Sequence, residues 1–299
     1  MRIRSLILAA AFSPAAAASP DAELGVRYWW SSGMTKWAHS AQDANPSLGN
    51  PTSILTYTKL DANVIELHGR RGFDERSFVK GNLGIGSINK GSFDDEDYFA
   101  GQVKFSDSTS AVRGDGLMYF TLDLGRELGV SGDGRTAWDF FVGLSYWRER
   151  ADAYGAIFTL GGGAPIPDNV LVISNEAMWT SLRIGLAVRH QARERLRFSA
   201  ELALVPYTQL RNEDSHYLRQ SPNDLGPVPN VFNKGSGYGL QTELEVRWTM
   251  REHYELGLGA RYWWLKTTNG TNSAAGSTFP LVYQESERAG VLLSLLRRW

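Results

Sequence analysis

The sequence contains no cysteine. Disulfides, zinc–thiolate centres and thiol nucleophiles are therefore excluded, and the compartment must be read from something other than redox chemistry. A surplus of either charge is missing too: 31 Lys and Arg stand against 32 Asp and Glu, a formal net charge of -1. Without a basic surface to neutralise phosphates, nucleic acid drops out as a partner. No apolar run reaches the roughly 20 residues that a spanning helix needs. The stretch from Ser5 to Phe12 is much shorter, follows the positive Met1-Arg2-Ile3-Arg4 and precedes the small residues Ala16-Ala17-Ala18. That order is the pattern of a secretory signal peptide. Residues 1–18 are thus expected to be a signal peptide and residues 19–299 a single domain. With no membrane helix, the mature chain is either soluble or a membrane barrel.

What the chain has is alternation. It is rich in glycine and aromatics, with 31 Gly, 10 Trp, 12 Tyr and 13 Phe. Trp138, Phe140, Val142, Leu144 and Tyr146 share one face of a period-two segment, opposite Asp139, Gly143 and Ser145. Leu240, Leu244, Val246 and Trp248 stand against Gln241, Glu243, Glu245 and Arg247, and Tyr254, Leu256, Leu258, Ala260 and Tyr262 against Glu255, Gly257, Gly259 and Arg261. One face suits hydrocarbon and the other water, as in transmembrane strands. Further segments run over 24–35, 53–71, 77–91, 116–128, 179–192, 196–211 and 283–299, making ten. The prediction is an all-β, closed antiparallel up-and-down transmembrane barrel of about ten strands. A soluble β-protein is the weaker alternative, because its exterior would not be so uniformly apolar.

Links between the segments alternate in length. Gly72 to Glu75, Gly129 to Arg135, Arg193 to Arg195 and Arg251-Glu252 are short, as at a periplasmic rim. Lys36 to Thr52, Ser92 to Asp115, Ala153 to Met178, Asn212 to Ser236 and Asn269 to Val282 are long and rich in turn residues, as external loops are. Tyr28-Trp29-Trp30, Tyr146-Trp147 and Tyr262-Trp263-Trp264 recur near the outer rim as an interfacial aromatic girdle requires. Trp299 ends the last alternating strand with Leu295, Leu293 and Val291, a terminal aromatic like that of outer-membrane barrels. A barrel this narrow is filled by side chains, which disfavours a general pore. Inward Asp123, Glu201, Glu243, Glu245, Arg247 and Arg261 are expected to pair with one another, and function is expected at the outer loops.

Two of those loops carry unusual groups: Asp94-Asp95-Glu96-Asp97-Tyr98 after the third strand and Asn212-Glu213-Asp214-Ser215-His216-Tyr217 after the seventh. In a ten-stranded up-and-down barrel these lie across the mouth from each other. A carboxylate pair can then face a histidine, an arrangement suited to activating water. The order and placement resemble the omptin family of outer-membrane proteases, whose Asp-x-Asp-aromatic and Asp-x-His-Tyr motifs read here as Asp95-Glu96-Asp97-Tyr98 and Asp214-Ser215-His216-Tyr217. Ser32-Gly33-Met34-Thr35-Lys36 resembles the family's Ser-Gly-x-Thr-Lys. The likeness covers the whole mature barrel in architecture, and residue identity only in these patches.

The resemblance implies an endopeptidase in the outer membrane of a Gram-negative bacterium, its active face extracellular. Asp214 would orient His216, which would take a proton from a water held with Asp95 and Asp97. No metal or other cofactor is implied, although lipopolysaccharide is a family requirement. The expected partners are a peptide or protein substrate and outer-membrane lipid, with the chain a monomer. Close carboxylates should raise at least one pKa. Ser215 has no role, since its side chain diverges from that of His216 in extended backbone. The acidic residues by which omptins hold a basic substrate residue are replaced by Trp37 and Asn212, so dibasic specificity is not expected. Trp37 reads either as a contact for an apolar substrate residue or as part of the girdle. The competing readings are a non-catalytic barrel acting as adhesin, receptor or structural protein, and a small-solute channel.

Overall fold

The computed structural model describes residues 22–251 and 253–299, so the expected signal peptide and Glu252 of the last short link lie outside the described residues. Eleven strands follow in order: β1 (Ala22–His39), β2 (Ser53–Gly72), β3 (Ser77–Phe99), β4 (Val103–Arg113), β5 (Asp115–Val130), β6 (Thr136–Leu160), β7 (Ile166–Arg193), β8 (Leu196–His216), β9 (Val231–Arg251), β10 (Tyr254–Ala274) and β11 (Ser277–Arg298). Each pairs antiparallel with its neighbours, and β1 pairs with β11, which closes the sheet. β4 and β5 occupy one position: β3 pairs with β4 over Gly91–Phe99 and with β5 over Ser77–Ile88. The break between them is Gly114, whose φ of 40° lies where only glycine sits without strain. The wall therefore has ten positions, as the alternation predicted, and no free edge.

Alternation fixes what faces where. Val26 stands opposite Leu295 and Leu67, Leu258 opposite Leu293 and Val246, Leu144 opposite Leu182 and Leu122. All of these side chains are exposed on the outer surface. The belt runs round the whole barrel, an apolar area far larger than a soluble monomer shows and one that hydrocarbon accepts. Among the described residues no helix is long and apolar enough to cross a membrane. Crossing falls to the strands.

Two expectations are corrected here. Three of the long links, Ser92 to Asp115, Ala153 to Met178 and Asn269 to Val282, are mostly strand, whereas Lys36 to Thr52 and Asn212 to Ser236 keep long non-strand stretches. β3 continues to Phe99, β6 to Leu160, β8 to His216 and β10 to Ala274, so the barrel wall rises well beyond the apolar belt. Turn-type residues had marked these stretches as loops, but ladder pairing with a neighbouring strand outweighs local preference. The Tyr-Trp stretches also divide. Tyr28 and Trp30 face outward in edge contact at 4.4 Å, whereas Trp29, Trp147 and Trp263 point inward and pack together with Tyr119. Trp37 is 2% exposed and faces the interior, which removes it from the girdle.

The lumen is filled, as expected. Arg27 pairs with Glu66, Glu243 and Glu245, Arg261 with Glu66 and Glu243, Arg247 with Glu245 and Glu23, and Arg183 with Asp123 and Glu201. Two gaps among these side chains measure about 30 and 60 Å³, room for a few waters. Above this network lies the inward aromatic layer, then a buried pair in which the Arg288 guanidinium donates to Glu149 at 2.7 and 3.0 Å. Gly33 belongs to this layer: a Cβ there would meet the Arg288 guanidinium at 2.8 Å. Thr35, two residues on, bonds with Ser286 at 3.0 Å and Glu149 at 3.3 Å. The Ser-Gly-Met-Thr-Lys motif thus builds the floor on which the site above it rests.

Candidate functional site

The site sits where β3 and β8 rise beyond the belt. Period-two alternation splits the acidic run of β3. Asp94 and Glu96 face outward, held by Thr109 at 2.9 Å and by Lys104 and Tyr98. Asp95 and Asp97 face inward, opposite Leu55 and Ser53 of β2 and Ser108 and Ser106 of β4. On β8 the same rule turns Asn212, Asp214 and His216 inward and Ser215 away. Both motifs lie on strands rather than on loops, which corrects their expected placement and makes their mounting more rigid.

His216 is fixed from behind. Its backbone N–H donates to Asn230 Oδ1 at 2.9 Å, Asn230 Nδ2 donates to the His216 carbonyl at 3.3 Å, and the Asn230 N–H donates to the Asp214 carbonyl at 3.0 Å. His216 Nε2 lies 3.7 Å from Asp214 Oδ2, beyond hydrogen-bonding distance, and neither atom has a partner. Asp214 is fully buried and His216 9% exposed. Burial pushes the Asp214 carboxyl well above the usual carboxylate range, with the Asp95 charge adding to it. The Ser215 N–H opposes, as does Asn175, whose amide approaches without making a well-formed bond. Burial likewise pushes the His216 imidazole down to about 4, helped by the Arg219 cation. At neutral pH the imidazole is therefore uncharged.

Asp95 is pushed up to about 7 by burial and then by Asp97, while the Arg219 cation pulls the other way. Asp97 is raised by burial against the Ser53 hydroxyl and Arg219. The expected proton uptake at a close carboxylate pair is present in direction. Arg219, on the segment between β8 and β9, makes a bidentate pair with Asp224 at 2.7 to 3.2 Å and acts on both Asp95 and His216.

Three residues near the four predicted ones were not singled out in the sequence. Tyr57, buried on β2, has a hydroxyl with no partner among the described residues, and its pKa is raised by burial and then by the charges of Asp214 and Asp95. His39 at the end of β1 is held down to about 4 by burial, lowers the pKa of His216, and has an unpartnered Nδ1. Arg219 is the third. No local pattern marks them, because their role arises from positions 39, 57 and 219 meeting only in the closed barrel. The remaining predicted residues, Trp37 and Asn212, are buried one layer below Asp214.

These shifts set a stability profile. Asp95 titrates near 7 in the folded chain but near 4 when unfolded, so between those values the folded chain holds a proton that the unfolded chain has lost. Its contribution is present at low pH and is lost as pH rises from about 4 to about 7. His216 and His39 run oppositely between about 4 and 6.5, where only the unfolded chain is protonated. Asp95→Asn is expected to gain stability relative to the unmodified chain as pH rises through that window. Urea unfolding of the two at several pH values checks this, and parallel profiles would refute it.

No family model matches the chain, and no curated protein matches it in sequence. Solved structures do. The outer-membrane protease OmpT from Escherichia coli aligns over 93% of this chain and 96% of its own, at 10% sequence identity and a TM-score of 0.70. The Ralstonia pickettii toluene transporter TbuX covers 92% of this chain and 90% of its own at 8% identity, with a TM-score of 0.30. A Pseudomonas aeruginosa FadL homologue covers 93% and 90% at 9% identity, with a TM-score of 0.26. At such identities the likeness to OmpT is a likeness of fold.

Proposed function

We propose that this chain is an endopeptidase of omptin type in the outer membrane of a Gram-negative bacterium, hydrolysing peptides or proteins at the extracellular end of the barrel. The observation that carries the reading is the inward-facing placement of Asp214 and His216 on β8 and of Asp95 and Asp97 on β3, with the Asp95 charge among the causes that raise the Asp214 carboxyl. Water is the nucleophile. Its oxygen attacks the peptide carbonyl carbon while its proton passes to the neutral His216, and that proton then goes to the departing amine nitrogen. Asp214, 3.7 Å away, orients the imidazole, and the cation forming on His216 favours ionisation of its raised carboxyl, while Asp95 with Asp97 hold the water. No step calls for a metal. The reading carries with it lipopolysaccharide as the surrounding lipid and a monomeric barrel.

The 3.7 Å separation within the pair is the observation that favours a non-catalytic barrel acting as adhesin, receptor or structural protein. Catalytic hydrogen bonds are often long before substrate binds, so the endopeptidase reading stands ahead of it. The packed lumen argues against a solute channel. A peptide library digested by the full chain refolded with lipopolysaccharide decides between these readings. New termini are expected with the unmodified protein and not with Asp97→Ala. Equal digestion by the two, or none by either, would remove the endopeptidase.

A further inference from the structure

At the end of the barrel away from the Asp214–His216 pair, one cation stands on the outer wall. Period-two alternation on β11 turns Leu293, Leu295, Arg297 and Trp299 outward and Leu292, Ser294 and Leu296 into the lumen. Arg297 is exposed, and no carboxylate of a described residue pairs with it. Its guanidinium lies 5.2 Å from the centre of the Trp299 ring and 6.0 Å from that of Tyr254, which stands opposite Arg297 in the pairing of β10 with β11. Both rings are themselves exposed, Trp299 at 55% and Tyr254 at 43%. The backbone is tied at this point: the Trp299 N–H donates to the Ala22 carbonyl at 2.9 Å and the Arg298 N–H to the His253 carbonyl at 2.8 Å. The acidic residues on the adjoining strand ends turn into the lumen instead, where Glu23 pairs with Arg247 and Glu255 with Arg197.

Rings beside a guanidinium attract the cation but leave its N–H fork unsatisfied, and that fork matches an anion with several oxygens. Depth narrows the anion. Leu295, on the same face and exposed in the apolar belt, lies two residues away, about 7 Å of strand or about 5 Å of depth at the usual tilt. The headgroup layer beside the hydrocarbon is about 5–8 Å thick, so the guanidinium stands at its level, where interfacial Trp and Tyr also belong. Phosphate oxygens fill that layer, and arginine pairs with them through two N–H groups. Charge narrows it further: one unpaired guanidinium balances one phosphodiester, whereas a lipid with two phosphomonoesters would leave most of its charge unmatched. Leu24, opposite Arg297 on β1, and Leu256, opposite Leu295 on β10, give acyl chains an apolar wall beside the cation. We propose that Arg297, between Tyr254 and Trp299, is a binding site for the phosphodiester of a single glycerophospholipid, whose acyl chains lie along Leu295, Leu256 and Leu24. The inference needs the barrel to sit in a membrane and is independent of the endopeptidase reading.

Native mass spectrometry tests this on the full chain refolded in detergent and titrated with dioleoyl phosphatidylglycerol. One retained lipid is expected, bound about five- to tenfold more weakly by Arg297→Gln, the loss of a charge-assisted contact at a membrane surface. Arg297→Lys, which keeps the charge, should lose less. Dioleoylglycerol, with the same chains and no phosphate, should bind the unmodified chain as weakly as phosphatidylglycerol binds Arg297→Gln. Trp299→Leu and Tyr254→Leu are each expected to weaken binding about two- to threefold by removing a ring beside the cation, and they carry the test should Arg297→Gln fail to refold. Arg135→Gln removes an exposed cation from the turn between β5 and β6 and should change nothing. Equal retention of phosphatidylglycerol by the unmodified chain and Arg297→Gln, or by the unmodified chain and both ring variants, overturns the site. So does dioleoylglycerol held as tightly as phosphatidylglycerol. Lipid A held more tightly than phosphatidylglycerol, and released by Arg297→Gln, would overturn the glycerophospholipid as its occupant.

Discussion

If the proposed endopeptidase reading holds, replacing His216 by alanine is expected to lower kcat/KM for a cleaved peptide by about a hundred- to ten-thousand-fold, the range that a positioned general base contributes. The expectation rests on the imidazole being neutral at working pH, held down to about 4 by burial, and so able to take a proton. The loss should fall on kcat with KM little changed, since the ring acts on the water and not on substrate binding. Folding should survive. His216 is held through its backbone by Asn230, and its Nε2 makes no hydrogen bond whose loss would cost stability. Asp214→Asn, which keeps the shape and removes the ionisable carboxyl, is expected to slow turnover as well. Steady-state kinetics alongside urea unfolding check both, and wild-type kcat in His216→Ala would dispose of the dyad.

Arg261→Leu is expected to destabilise the barrel by about 3–5 kcal/mol, the cost of removing one partner from a buried ion pair. Arg261 is fully buried and donates to Glu66 at 2.6 and 3.2 Å, to Glu243 at 2.7 and 2.9 Å, and to Tyr119 at 3.0 Å. Its guanidinium also lies 5.0 and 5.1 Å from the ring centres of Trp29 and Trp263. Leucine fills part of the volume and leaves Glu66, itself fully buried, with Arg27 as its remaining cation. The proposed site lies above the aromatic layer, so any kcat per folded molecule should be nearly unchanged. Urea unfolding measured by tryptophan fluorescence gives the number, and a change under about 1 kcal/mol would show the lumen network to be replaceable.

The contrast between those two residues follows how much of each was legible in the sequence. Arg261 could be placed inside the wall from its neighbours alone, since Tyr262 and Ala260 had to face lipid. His216 could be named only because its motif resembled a known one. Local signals failed where ladders overrode them: Ser92 to Arg113 contains the residues of a loop, yet it forms the upper half of β3, a tight hairpin and β4. Tyr57, His39 and Arg219 carried no local signal at all.

What the sequence by itself determined is the set of faces. Successive side chains of an extended chain point to opposite sides, so Asp95 and Asp97 had to share a face, as did Asn212, Asp214 and His216, whatever the strands around them did. What the tertiary structure alone decided is which faces meet. Closure through β1 and β11 sets β3 across the lumen from β8, and it brings Gln284 to Asn212 and Trp37 into the layer below the dyad. Those contacts join residues far apart in the chain, and pairing register across a closed sheet, not the pattern within any one strand, fixes their distances.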